Sequence, residues 1–306
     1  EDEGVLTVSC AGGSRCDVER TYPLEEGRGA VCVLTVSGGQ GGHSGIEIGK
    51  GLANAGKLLG ACLAEMEGVR LISMSGGAQD NAIPKEAEAV FLAESAAALE
   101  PVRKRFEEEV LPGFAGAEPG LAVRLVSVPP ERRRALSRED SRAVIGLLNE
   151  YPNGVQAMSG DIPGLVQTSL NLGILRLEDG ALSLSSSVRS SVLAEKEALC
   201  GALAALADRY GARFSQRGAY PPWEYRKDSP LREVMLRVYR RMTGKEMEVE
   251  AIHAGLECGL FAGKLPGLDA ASIGPDLREV HSTRERMSIS SVQRTWAYLR
   301  EVLREL

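Results

Sequence analysis

The sequence predicts a mixed α and β fold in two parts, a two-layer α+β sandwich followed by a segment of α/β character. Three observations support this prediction. Apolar residues recur at strand-like and helix-like spacing through the first two thirds of the chain. Turn signals separate these periodic segments. After an irregular, aromatic connector at 218–223, strands, loops and helices alternate. We therefore expect a domain boundary near 213–216.

The individual elements follow from these patterns in chain order, and Ser137 is expected to cap the third helix. The predicted strands are 5–9, 31–37, 69–75, 87–93, 121–126, 166–177, 181–189, 249–252 and a short one near 271–273. The predicted helices are 46–66, 96–111, 137–150, 191–209, 230–242 and 288–304. We expect the helices of the first part to cover one face of its sheet.

The composition bounds the partners of the protein. The net charge is −6 and no basic stripe is present, which argues against nucleic acid. The arginine-rich run 131–134 lies close to Glu139 and Asp140, so we interpret it as a solvated helix start. No apolar run reaches the roughly 18 residues needed to span a bilayer, which argues against a membrane partner.

Cysteine usage indicates the compartment. The six cysteines, at 10, 16, 32, 62, 200 and 258, form neither a CxxC pair nor a disulfide framework. Most of them lie in apolar surroundings. We therefore expect buried free thiols in a reducing cytoplasm.

The stretch 38–45, Gly-Gly-Gln-Gly-Gly-His-Ser-Gly, places a histidine on a loop between a strand and a helix. A phosphate-binding loop is a weak interpretation, because the spacing matches neither a P-loop nor a dinucleotide fingerprint. A nucleophile elbow around Ser44 would need glycine at position 46, which is isoleucine. Two interpretations remain: the glycines carry His43 into a site formed elsewhere, or the histidine is incidental to a turn.

The three histidines of the chain share one kind of position. His43, His253 and His281 each lie on or beside a strand-end loop with glycine nearby. Neutral imidazole is the commonest protein ligand for metals. Histidines in clefts also act as acid–base groups and oxyanion donors. We therefore expect the three to converge on one site.

Several ordered motifs resemble one family, the bacterial aminoacyl-histidine dipeptidases, which are zinc metallopeptidases that hydrolyse Xaa-His dipeptides such as carnosine. The matching runs occur in order across nearly the whole chain. They are 41–45 with 54–55, 76–77 with 81–87, 151–155, 218–221, 253–261, and 272–275 with 281–282.

The resemblance implies a dinuclear enzyme with two divalent metal ions, zinc or alternatively manganese or cobalt. It places the last ligand at His281 and the other ligands upstream of this chain. Residues 1–19 would then end the first segment of a catalytic domain. Residues 20–213 would be a lid and dimerisation domain, and 214–306 the C-terminal segment of the α/β zinc-peptidase catalytic domain. Such a fragment is expected to be inactive alone.

The resemblance also implies roles for individual side chains. His43 would be the catalytic oxyanion donor that arrives when the lid closes, from its own or from the other subunit. Arg189 would hold the substrate carboxylate, although a solvated strand end would also explain an arginine there. The other implied substrate-binding residues are Asn81, His253, Gly255, Glu257 and Gly259.

The function expected from the sequence is thus metal-dependent hydrolysis of Xaa-His dipeptides by a cytoplasmic homodimer that pairs through its lid. The apolar faces of the first lid helix and its neighbouring strands are the expected pairing surface. The alternative is a non-catalytic lid or dimerisation module of a truncated peptidase homologue.

Overall fold

The computed structural model describes residues 2–280 and 282–306. Within them, fifteen strands and seven α-helices follow one another along the chain. The strands are β1 (Val5–Cys10), β2 (Gly12–Thr21), β3 (Glu25–Ser37), β4 (Gly42–His43), β5 (Arg70–Gly76), β6 (Ala82–Ile83), β7 (Ala87–Ala93), β8 (Ala122–Ala135), β9 (Gly154–Met158), β10 (Val166–Glu178), β11 (Ala181–Ser190), β12 (Arg213–Tyr220), β13 (Glu248–Ile252), β14 (Leu277–Arg278) and β15 (Arg286–Met287). The helices are α1 (Ala55–Ala64), α2 (Ala96–Val110), α3 (Arg138–Glu150), α4 (Leu193–Arg209), α5 (Pro230–Thr243), α6 (Glu257–Lys264) and α7 (Ile289–Glu305).

A nine-stranded sheet dominates the fold. Its strand order is β12-β2-β11-β10-β5-β7-β3-β8, with β9 also paired to β10. Neighbouring strands are antiparallel throughout. Buried residues of α1 to α4 share one hydrophobic core with this sheet. The predicted two-layer α+β sandwich is therefore confirmed.

The sheet consists of two β-α-β-β-α-β units joined edge to edge. The first unit is β3-α1-β5-β7-α2-β8, and its strands lie in the order β5-β7-β3-β8. The second unit is β2-α3-β10-β11-α4-β12, and its strands lie in the equivalent order β10-β11-β2-β12. Strands β5 and β10 pair across the junction. The first unit is thus an insertion between β2 and α3 of the second, and the outer edges are β8 and β12.

Local signals place the helix ends. The Asn54 side chain accepts the amide of Lys57 and caps α1, and Ser137 caps α3 by accepting the amide of Asp140. Gly51 adopts a left-handed φ of 68°, which an α-helix cannot contain. The predicted helix 46–66 was therefore too long, because its first residues form a turn and a short 3₁₀ segment.

Two further predictions were wrong in detail. The run 131–134 lies in edge strand β8 rather than at a helix start. Within this strand, Glu131 forms an ion pair with Arg133. The strand predicted near 271–273 is reduced to a single antiparallel bridge between Ser272 and Thr7.

The two terminal segments of the chain together form a second, smaller hydrophobic core. Strand β1 pairs in parallel with β13, and helices α5 and α7 pack beside them. Its buried residues are Leu6, Val8, Met235, Val238, Met247, Tyr298 and Val302. Strands β2 and β12 of the large sheet run across the predicted boundaries after 19 and 213. The strand pairing thus favours boundaries near 11 and 221, and the division into domains stays a prediction.

The cysteines are free, as expected; five are buried and Cys258 is half-buried. The sulfurs of Cys16 and Cys200 lie 3.7 Å apart between β2 and α4. No helix within the described ranges is both long and apolar enough to cross a membrane.

Candidate functional site

A short two-stranded sheet, the β4–β6 pair, presents His43. Strands β4 and β6 pair so that His43 faces Ala82, and the Ser44 amide donates to the Asn81 carbonyl. The His43 amide donates to the Glu47 carboxylate at 2.8 Å. Gly41, with a φ of 65°, supplies the left-handed turn that leads into β4. The glycine-rich loop therefore serves to turn the backbone sharply and hold the imidazole in place.

The hydrogen bonds of His43 define its tautomer. The amides of Gly45 and Ile46 both donate to Nδ1, each at 3.2 Å. Burial lowers the pKa of His43, and the positive charge of Arg189 lowers it further. The ring is therefore neutral at pH 7, and because Nδ1 accepts, its proton is on Nε2. His43 thus offers one N–H donor to a ligand.

Arg189 lies on β11, on the sheet face opposite the four helices. Its side chain is buried, with 9% relative exposure, yet no ion pair to a carboxylate is found within the described ranges. Nη1 donates to the hydroxyl of Tyr220 at 3.1 Å, whereas Nε is buried without a partner. A buried charge that lacks a counter-ion is costly, so an anionic ligand would stabilise this site.

His253 follows the last residue of β13 and reaches the same region from the smaller core. Its Nε2 lies 2.7 Å from the Ser169 hydroxyl of β10. Burial and the nearby Arg189 lower the pKa of His253 to about 4, so its ring is neutral. Nδ1 has no partner in hydrogen-bonding geometry, although the Val166 carbonyl lies close enough to raise the pKa slightly.

The turn after β4 and the His253 loop are in direct contact. A Cβ atom at Gly45 would lie 2.6 Å from the His253 carbonyl oxygen and 3.0 Å from Cε1 of His43. His43, Arg189 and His253 are therefore one group, drawn from the first unit, the second unit and the smaller core.

The other predicted site residues are placed differently. Asn81 joins the group through its backbone contact with Ser44. Gly255 packs against the Tyr220 ring. Glu257 is exposed at the start of α6, and Gly259 packs against the Pro221 backbone. Within the described ranges, no contact links either residue to His43, Arg189 or His253. His281 lies outside the described residues.

Ser169 and Tyr220 belong to the group but had no predicted role. Each touches a site residue that is distant in sequence: Ser169 contacts His253, and Tyr220 contacts Arg189. Tyr220 lay within a motif that carries the family resemblance, which was the only available signal for it.

The described part of the chain contains no complete metal site. Within residues 2–280 and 282–306, no group of three or more His, Cys, Asp or Glu side chains could hold a metal ion. The described residues therefore do not form a metal centre by themselves.

Comparison with known proteins gives two extensive similarities. The chain is 37% identical over 317 residues to the cytosol non-specific dipeptidase of Escherichia coli K12, covering 100% of this chain and 64% of that protein. The crystal structure of aminoacylhistidine dipeptidase from Vibrio alginolyticus matches with a TM-score of 0.93 at 31% identity, over 100% of this chain and 64% of that one. No protein-family model matches. The chain is thus homologous to the first protein, has the fold of the second, and spans 64% of the length of each.

Proposed function

We propose that this chain forms the substrate-enclosing part of a peptidase that hydrolyses dipeptides. The observation that carries the proposal is that one group of side chains contains two hydrogen-bond donors without a protein acceptor. The buried guanidinium of Arg189 has an unpartnered Nε, and the neutral imidazole of His43 has its proton on Nε2. The 37% identity to a dipeptidase supports the same reaction class.

These two donors suit the two negative charges of dipeptide hydrolysis. Negative charge develops on the carbonyl oxygen of the scissile bond, and a donor aimed at that oxygen accelerates the reaction. His43 is our candidate for this donor. A dipeptide also carries a free carboxylate one residue beyond the scissile bond, which a guanidinium binds with two parallel hydrogen bonds. Arg189 is our candidate for that role.

We propose that His43 acts within its own chain. His43 belongs to the first β-α-β-β-α-β unit and Arg189 to the second, and the fold joins both units in one sheet. Mixing a His43→Ala subunit with a subunit that carries His281→Ala, a substitution at a proposed metal ligand, tests this, because action of His43 between subunits would restore one active site in the mixed dimer. We expect no recovery.

The proposed enzyme uses two divalent metal ions, zinc or alternatively manganese or cobalt. When bound, such ions activate water and polarise the peptide carbonyl. We propose that His281 is one ligand and that the others lie in parts of the protein that its longer relatives contain. The isolated 306-residue chain is then expected to be inactive.

Our proposed substrates are dipeptides, with Xaa-His dipeptides such as carnosine among them. Asn81 and His253 are proposed substrate contacts, and Gly255, Glu257 and Gly259 the loop over the C-terminal end of the substrate. The free thiols and the cytosolic relative support a cytoplasmic location.

A homodimer through the large sheet is also proposed, but not through the first helix, whose apolar face is buried in the core. The outer edge of β8 is a better candidate, because Val126 and Val128 on it are 62% and 48% exposed. Unpaired strand edges readily pair with another copy, and a two-fold axis would bring identical edges together.

The direct test is hydrolysis of a peptide panel by the full-length protein with divalent metal supplied. Carnosine, other dipeptides and tripeptides are compared for the wild type and for Arg189→Ala. We expect dipeptides to be cleaved and the KM of the variant to rise. A metal-loaded protein that cleaves none of them would favour the non-catalytic module instead.

A further inference from the structure

We propose that Tyr220 is a positioning residue that holds Arg189 in the orientation needed to bind the substrate carboxylate. The proposal rests on the carboxylate-binding role proposed for Arg189. Tyr220 is thereby added to the site, and Gly13 and Gly255 fix the position of its ring.

The shape of the Arg189 guanidinium decides which of its edges can bind a carboxylate. Arginine presents its five N–H donors as a rigid planar fork, and carboxylates bind across one edge of that fork. The hydroxyl of Tyr220 accepts a hydrogen bond from Nη1 at 3.1 Å. Nε, on the other side of the fork, is buried without a partner. Nε and Nη2 share one edge, so the tyrosine engages neither of the two donors that a carboxylate would bind there.

The ring of Tyr220 is itself fixed by its neighbours. A Cβ atom at Gly13 would lie 2.6 Å from the ring, and a Cβ atom at Gly255 would lie 2.8 Å from it. The ring therefore occupies the space that side chains would fill at both glycines. Lys196 donates to the Tyr220 carbonyl at 2.9 Å, and Tyr220 pairs with Gly13 in the sheet. The hydroxyl has little freedom to move.

The two glycines lie in different parts of the molecule. Gly13 is on β2 of the large sheet, whereas Gly255 is in the loop after β13, which belongs to the smaller core. The Tyr220 ring thus lies between the two parts of the molecule. Contact of the Gly255 loop with the ring is what links the packing of the two parts to the orientation of Arg189.

A purely packing role for Tyr220 makes a different prediction. In that case the ring matters and the hydroxyl does not, so Tyr220→Phe would behave as the wild type. Under our proposal, Tyr220→Phe removes the side-chain oxygen that Nη1 contacts while keeping the ring.

The experiment compares Tyr220→Phe, Arg189→Ala and the double variant of the full-length enzyme. Tyr210→Phe is the matched control, because its hydroxyl contacts Glu150 instead. The substrates are a dipeptide and the same dipeptide with a C-terminal amide. We expect Tyr220→Phe to raise the KM for the free dipeptide about tenfold, since a hydrogen bond to a charged group is lost, with kcat little changed. Tyr220→Phe should not alter the KM for the amide substrate, and it should not raise KM further in the Arg189→Ala background.

The outcomes separate this proposal from the one on which it rests. If Arg189→Ala leaves KM unchanged, the carboxylate role fails and the Tyr220 proposal fails with it. If Arg189→Ala raises KM and Tyr220→Phe does not, only the Tyr220 proposal is overturned. Additive effects of the two substitutions in the double variant would also overturn it. Gly255→Ala, which retains the hydroxyl but displaces the ring, should reproduce the rise in KM.

Discussion

Gly45 and His253 are in direct backbone contact: a Cβ atom at position 45 would lie 2.6 Å from the His253 carbonyl oxygen. Gly45 is two residues from His43, whose Nδ1 accepts the Gly45 amide. The contact therefore fixes the imidazole relative to the smaller core. Glycine is required at this position for close approach rather than for an unusual φ angle.

Gly45→Ala should reduce kcat/KM of the full-length enzyme by more than tenfold. The added methyl forces the turn that carries His43 away from the His253 loop, and displacements of about 1 Å can cost about 100-fold in rate. Gly113→Ala is the control, because a Cβ atom there meets no other atom within 4 Å. Steady-state kinetics and thermal unfolding of both variants give the result. Full activity of Gly45→Ala would mean that the contact is not needed.

His253 should make the chain less stable as the pH falls from 6.5 to 4. Its pKa in the folded protein is lowered from 6.5 to about 4. In this window the unfolded chain therefore binds a proton that the folded chain does not. The contribution of His253 to the free energy of unfolding is fully present above pH 6.5, and about 3 kcal/mol of it is lost by pH 4.

Urea unfolding of the 306-residue chain at pH 7 and pH 4.5 measures this loss. His253→Gln is the comparison, because it retains the other titrating groups and removes only this one. We expect the variant to lose less stability than the wild type between the two pH values. An equal loss in both proteins would show that His253 does not titrate in this way.

Much of the fold could be predicted from the sequence because its strands and helices are strongly periodic. The start of α1 could not, since Ile48 and Leu52 have helical spacing but pack in a separate small cluster with Ile83 and Val166. The two-unit topology could not be predicted from the sequence either. One unit is inserted within the other, and the order of strands in the sheet depends on which strands pair. Local patterns carry no information about which strands meet.

The site shows the same division. The sequence singled out His43 and His253 by residue type and position, and Arg189 by the family resemblance, and their roles stay predictions. Ser169 and Tyr220 could not be given roles, because their roles arise from contacts across 84 and 31 positions of sequence. The tautomer of His43 likewise depends on the turn that aims two amides at its Nδ1.

His281→Ala in the full-length enzyme should lower metal content first and activity as a consequence. The motivation is the family resemblance of the segment around His281, and a catalytic zinc usually has three protein ligands, so losing one weakens binding. Metal stoichiometry by elemental analysis, measured beside His43→Ala, gives the comparison. Full metal occupancy in His281→Ala would rule out its role as a ligand.

Val126→Lys should weaken self-association. Val126 is 62% exposed on edge strand β8, and a lysine on an edge strand opposes pairing with another copy. Sedimentation of the full-length protein over a range of concentrations should show a larger monomer fraction for this variant than for the wild type. Val155→Lys, on β9 at 38% exposure, is the control. A variant that dimerises as the wild type does would place the interface elsewhere.

The turnover of His43→Ala tests the central claim most directly. The claim is that the neutral imidazole donates from Nε2 to the carbonyl oxygen of the scissile bond as negative charge develops there. Removing one such donor typically costs about 10²–10³ in kcat. We therefore expect a fall of that size in the full-length enzyme, with metal content and thermal stability unchanged. A variant that loses its metal, or one that keeps the kcat of the wild type, would contradict the claim.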